Sequence, residues 1–123
     1  MISFESFKNE NDIPIYMQIV RHIKRGIISK QVLSGDELPS RRVLSAELGV
    51  NPNTVQKAYA ILEEEGLIES HTGAKSYMSF SHMRAEEVKK ELLENDAKAI
   101  VNSLKQMGFS KEDSLAIIDK FWN

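Results

Sequence analysis

The side chains best suited to chemistry in this sequence are those that meet nucleic acid, not those of a reaction centre. Ser40, Arg41 and Arg42 stand together in LPSRRVLSAELGV, and Asn51, Asn53, Thr54, Gln56 and Lys57 follow in NPNTVQKAYAILEEEG. A serine at a helix start combines a hydroxyl with free backbone amides, a pairing that suits a phosphate oxygen. Arginine grips guanine or phosphate with a two-pronged donor set. Short polar side chains on the first turns of a helix reach base edges, because the major groove is wide enough to admit the helix. From Arg41 to Lys57 the only acidic residue is Glu47, so this stretch carries +2 in a chain whose net charge is −2. A third group, Thr72, Gly73 and Lys75, includes a glycine that lets backbone approach a phosphate or the minor groove closely. Taken singly, these groups read as a capped surface helix, a solvated helix face and an ordinary turn. Their order and spacing together point to DNA binding.

Other chemistry finds little footing. There is no phosphate loop, no nucleophile with a partnered base and no carboxylate pair in a defined motif. The chain has no cysteine, which excludes disulfides, thiolate zinc sites and a thiol nucleophile. His22, His71 and His82 lack ligand spacing, and Glu63-Glu64-Glu65 reads as a solvated helix end. We therefore expect no enzymatic activity, no metal and no cofactor. With 123 residues, 41% hydrophobic and 28% charged, the chain can build a core. No apolar run approaches the roughly 18 residues of a membrane span. The start MISFESFKNENDIP lacks a basic segment followed by an apolar one, so no secretory leader and a cytoplasmic location are expected.

The elements that must position these side chains follow from periodicity and capping. Residues 1–13 read as a polar arm with scattered phenylalanines. Asp12 and Pro14 open a helix that carries Ile15, Ile19, Val20, Ile23 and Ile27 on one face, and Gly35-Asp36 marks the turn beyond it. A second helix is capped by Ser40, has an apolar side of Val43, Leu44 and Leu48, and ends at Gly49. Asn51 caps a third, with Pro52 in its first position, Val55, Ala58, Tyr59 and Leu62 facing inward, and Gly66 closing it. Only residues 49–51 separate the two, which is helix-turn-helix spacing. Two short stretches, LIESH and SYMSF, then read as a β-hairpin joined by residues 72–75.

The predicted fold is thus mainly α with a small β-hairpin wing: a winged helix-turn-helix followed by a C-terminal α-helical hairpin. The expected domains are residues 1–82, with the arm, and a two-helix tail over residues 83–123. In the tail, Val88, Leu92, Leu93, Ile100, Leu104 and Met107 form an apolar stripe, which Gly108 breaks. Ser110 with Asp113 resembles a capping box, and Leu115, Ile118, Phe121 and Trp122 supply a last helix. Two such helices cannot bury their apolar faces alone. Leu92, Ile100, Leu104, Leu115, Ile118, Phe121 and Trp122 are therefore expected to form a dimerisation surface.

The stretches IYMQI, LPSRRVLSAELGVNPNTVQKAYAILEEEGLIES and HTGAKSY carry a resemblance. Residues 14–80, a little over half the chain, resemble the winged-helix domain of GntR-family transcriptional regulators. The resemblance implies that Ser40 and Arg42 sit at the DNA backbone or base edges. It places Asn51, Asn53, Thr54, Gln56 and Lys57 on the recognition helix, and Thr72 and Gly73 at the wing tip in the minor groove. Two positions depart from the family pattern. Arg41 stands where the family is often apolar or acidic, and TGAKSY, with Lys75, replaces a Gly-x-Gly wing. The tail is too short for the family's larger effector or aminotransferase-like domains and is similar to the YtrA-type subfamily, in which such a tail dimerises.

Together these features imply a homodimer on an inverted-repeat, double-stranded operator, repressing by occlusion. Arg42 and the recognition-helix start are expected to read sequence, and Ser40, Arg41 and Lys57 to anchor phosphates. A small-molecule effector could bind only near the tail and its junction with the wing, where Phe109, Phe121 and Trp122 could line a pocket. The competing class is a small helical protein-interaction module, prompted by Met107-Gly108-Phe109-Ser110, which echoes the loop of ubiquitin-associated helical modules. Such a module would tolerate loss of Arg42 and of the Asn53-Thr54 surface.

Overall fold

A computed structural model describes residues 1–9, 12–71 and 75–123. Its elements are α1 (Ile15–Ile28), β1 (Glu37–Leu38), α2 (Arg41–Leu48), α3 (Pro52–Glu64), β2 (Ile68–His71), β3 (Lys75–Met78), α4 (His82–Gln106) and α5 (Lys111–Trp122). They form two compact units, Met1–Lys89 and Lys90–Asn123.

In the first unit, capping and burial act together. The Ser40 hydroxyl accepts from the Val43 amide at 3.2 Å and starts α2. Gly49, at φ 68°, ends it in a left-handed conformation that costs glycine little. Two residues on, the Asn51 side chain accepts from the Asn53 amide at 2.8 Å and starts α3, whose first residue, Pro52, needs no amide partner. Ile19 and Ile23 of α1, Leu44 of α2, and Val55, Ala58, Tyr59 and Leu62 of α3 are fully buried together.

Four features of this unit differ from the sequence reading. Val43 is 53% exposed, because the inward residues of α2 are Leu44 and Ser45, about 100° and 200° further round the helix. The wing is a three-stranded antiparallel sheet of order β1-β3-β2, with Glu37 opposite Tyr77 and Leu38 opposite Ser76. A two-residue strand such as β1 has no period for a sequence to display. Lys75 begins β3 and is not a loop residue. The N-terminal arm is part of the core: Ile2 and Phe4 are buried, the Ile2 amide donates to the Glu37 carbonyl at 3.0 Å, and His22 stacks on Phe4 with 4.6 Å between ring centres.

This unit runs through Lys89, seven residues past the helix start at His82, because Val88 of α4 is buried in its core and Ala85 packs beside it. The change of composition at residue 83 marks a helix start, and the compact unit closes two turns later.

The second unit comprises the remainder of α4 and α5. Gly108, at φ 83°, turns the chain between them, while the Phe109 amide donates to the Leu104 carbonyl at 3.1 Å. The Ser110 hydroxyl accepts from the Asp113 amide at 3.1 Å, the serine half of a capping box. The Ser114 hydroxyl donates to the Ser110 carbonyl at 2.7 Å. Among the described residues of this unit only Leu92 and Ser114 are buried. Among the described residues no helix is long and apolar enough to cross a membrane.

Candidate nucleic-acid interface

The start of α3 presents a polar, exposed surface. Val55 and Ala58 point inward, so Asn53, Gln56 and Lys57 are exposed beside them and Thr54 is half-buried. Asn51 is exposed, but its side chain is committed to the cap. Lys57 is not a free cation: its ammonium lies 4.0 Å from the centre of the Tyr16 ring on α1. Tyr16 was not singled out from the sequence, and only its place in the IYMQI motif hinted at a role.

The two arginines of α2 part company. Arg42 is exposed, and its guanidinium has no hydrogen bond or ion pair among the described residues. Arg41 turns inward: its guanidinium lies 5.1 Å from the centre of the Tyr59 ring, and one terminal nitrogen is 3.5 Å from the Ser76 hydroxyl. Its Nε is buried without a partner. Tyr59 in turn donates its hydroxyl to the Pro39 carbonyl at 2.7 Å. Burial pushes the Tyr59 hydroxyl well above the ordinary tyrosine pKa, against a smaller pull from the Arg41 charge.

On the wing, Lys75 is exposed with its ammonium 3.9 Å from the Glu37 carboxylate. His71 is exposed and lies edge-on to Tyr77, 5.3 Å between ring centres. Thr72 and Gly73 lie outside the described residues. Charge is uneven along α3, because its far end is acidic. Glu63 and Glu64 are exposed, as a solvated helix end requires, but Glu65 is not free. It meets the Lys24 ammonium at 2.9 Å and Arg84 at 3.7 Å, tying α3 to α1 and α4. Among the described residues no three His, Cys, Asp or Glu side chains gather to hold a metal ion.

In the second unit, Ile100, Leu104, Leu115 and Ile118 join Val101 and Phe109 around an apolar groove of about 330 Å³. Leu92 is buried, whereas Phe121 and Trp122 stand more than 70% exposed outside that groove. The three aromatics Phe109, Phe121 and Trp122 therefore do not line one pocket, because the end of α5 carries the last two away from the turn that holds Phe109.

Known proteins match both the sequence and this geometry. Residues 15–77 match the bacterial regulatory proteins of the gntR family. The chain is 40% identical over 94 residues to the HTH-type transcriptional repressor YtrA of Bacillus subtilis (strain 168), covering 76% of this chain and 68% of that protein. It is 33% identical over 108 residues to the uncharacterized HTH-type transcriptional regulator YhcF of the same organism, covering 88% of this chain and 89% of YhcF. A solved GntR family transcriptional regulator from Listeria monocytogenes superposes with a TM-score of 0.78 at 32% identity, covering 91% of this chain and 98% of that one. The likeness to YhcF and to the Listeria protein extends well past the wing, and none of these likenesses favours an interaction module. An outward-facing polar helix start on a winged helix-turn-helix is what a reader of DNA requires, and the chain belongs to the GntR family of DNA-binding transcriptional regulators, among its YtrA-like members.

Proposed function

We propose that the protein is a cytoplasmic repressor that binds an inverted-repeat operator as a homodimer and acts by occluding promoter DNA. In this reading Arg42, Asn53, Thr54 and Gln56 face base edges, and Ser40, Asn51, Lys57 and Lys75 steady the backbone. Thr72 and Gly73 enter the minor groove at the wing tip. The dimer forms through Ile100, Leu104, Leu115 and Ile118, with Phe121 and Trp122 at its margin and Leu92 supporting α4.

The observation that carries this reading is the exposed apolar surface of the second unit. Its large side chains line an open groove and lie uncovered in the monomer. Monomers rarely expose contiguous apolar patches of that kind without a partner, and a two-fold copy of the same surface is the simplest cover. Such a dimer presents two α3 helices to two half-sites. A small effector reaching this groove would act on the dimer and so on the spacing of the two helices.

Fluorescence anisotropy on the gene's own upstream DNA against scrambled DNA, across a salt series, tests the operator. A preference of about a thousandfold or more that survives moderate salt supports it. Equal binding to both that vanishes with salt refutes it for that DNA. Sedimentation of the same samples reads the dimer directly, and a monomer at micromolar concentration refutes the tail's role.

A further inference from the structure

We infer that Arg41 is a positioning residue that holds the wing at a set angle to the recognition helix, and that it does not anchor a phosphate. The inference rests on the reading that α3 and the wing engage DNA together. Neighbouring residues on an α-helix are rotated by about 100°, so Arg41 and Arg42 leave α2 in different directions. Arg42 takes the solvent side, and Arg41 is left to the junction between α2, α3 and the sheet.

Its contacts there reach all three elements. The guanidinium faces the ring of Tyr59 on α3 at 5.1 Å and points a nitrogen at the Ser76 hydroxyl on β3 at 3.5 Å. Ser76 is itself buried in the central strand, and its hydroxyl lies 3.3 Å from that of Ser70, its register partner on β2. Tyr59 closes the circuit by donating to the carbonyl of Pro39, two residues before Arg41. One side chain thus touches the recognition helix directly and both hairpin strands, one of them through a hydroxyl.

One further observation sets Arg41 apart from a cation waiting for phosphate: its Nε is buried, with no partner in the fold. A buried donor left unpaired is costly, so the side chain stays for what its planar fork does: stack on a ring while reaching a hydroxyl at its edge. Lysine has the charge but not that geometry. Entry of α3 into the major groove and of the wing into the minor groove must occur together, and the angle between them is set where Arg41 sits.

The test uses full-length Arg41→Lys and Arg41→Met, read by amide hydrogen exchange without DNA and by hydroxyl-radical footprinting on the operator. Both variants should raise exchange of the β2 and β3 amides tenfold or more and leave the Asn53–Leu62 amides within about twofold. On DNA both should lose minor-groove protection beside each half-site, and Lys should not rescue it. Unchanged wing exchange, or full recovery of operator affinity with Lys, overturns the inference and makes Arg41 a phosphate contact. If Arg41→Met fails to fold, Ser76→Ala keeps the charge and removes the acceptor, and Ser70→Ala, which removes the Ser70–Ser76 contact but leaves that acceptor in place, is its control. Ser76→Ala should raise wing exchange about threefold and by more than Ser70→Ala does; no change, or an equal change in the two, overturns the inference. Faster wing exchange in the variants, with no minor-groove protection even in the wild type, supports the strut and removes the wing from the DNA contact.

Discussion

The two halves of this chain solve the burial problem in opposite ways. In Met1–Lys89, α1, α2, α3, the first turns of α4, a small sheet and the N-terminal arm converge on one core, and Ile19, Ile23, Leu44, Val55, Tyr59 and Leu62 are fully buried. In Lys90–Asn123, side chains of the same kind lie open: Ile100, Leu115 and Trp122 are each more than half exposed. The residue types are alike and the helices are regular in both. Number of layers makes the difference, since two helices have one interface to share and always leave outer faces uncovered. The first half closes a core of its own and leaves the polar start of α3 outside it. The second leaves its apolar groove open.

Paired truncations at equivalent residues break or sharpen this contrast most strongly. Leu62→Ala should destabilise the first unit by about 2–5 kcal/mol, since it removes methyl groups from a closed core. Leu104→Ala should leave chemical denaturation of the dilute monomer nearly unchanged and weaken self-association instead. Denaturant melts at two protein concentrations measure both, and equal losses for the two variants would erase the distinction.

Removing residues 90–123 should give a folded monomer whose operator affinity falls by about 10²–10⁴, the loss expected when two linked binding events become independent. Cutting earlier, after residue 83, should also lower the melting temperature, because Val88 leaves the core and Arg84 leaves Glu65. Circular dichroism and anisotropy on the two truncations separate these effects.

Arg42→Ala should cost about 1–3 kcal/mol in operator binding with no change in melting temperature. The guanidinium has no described polar partner in the fold to lose. A stability loss equal to the binding loss would instead make Arg42 structural.

The smallest effect belongs to Tyr59. Its hydroxyl pKa is raised in the folded state by burial, so the protonated form is the one the fold holds. Stability from this group is fully present below the unfolded value of about 10 and is lost as pH rises beyond it. Tyr59→Phe should cost about 1 kcal/mol at neutral pH by leaving the Pro39 carbonyl unpaired, and should flatten the alkaline loss. Urea midpoints at pH 8 and at pH 11 for both proteins check the sign, and an unchanged alkaline slope in the variant would assign it elsewhere.

What was legible in advance follows from how local each cause is. Ser40 and Asn51 cap helices through amides two or three residues away, and Gly49 ends one by its own backbone angle, so sequence spacing displayed all three. The inward set of α3 was legible for the same reason, because a 3.6-residue period is a property of one segment. Val43 was misread because α2 has only eight residues, and its apolar positions fit more than one face. Strand β1 and the burial of Ile2 and Phe4 were invisible, since each depends on a partner more than thirty residues away in sequence or on the far side of α1. Glu65 looked like its neighbours until Lys24 and Arg84 came to it.

The sequence by itself determined the helices, their caps, the helix-turn-helix spacing and the polar start of α3. Each depends on a few neighbouring residues and on backbone geometry common to all proteins. Only the tertiary structure decided which of two adjacent arginines faces solvent. Arg41 and Arg42 have the same chemistry and the same local propensity. They differ only in what lies about 100° further round the helix, where Tyr59 and Ser76 arrive from distant parts of the chain to receive Arg41.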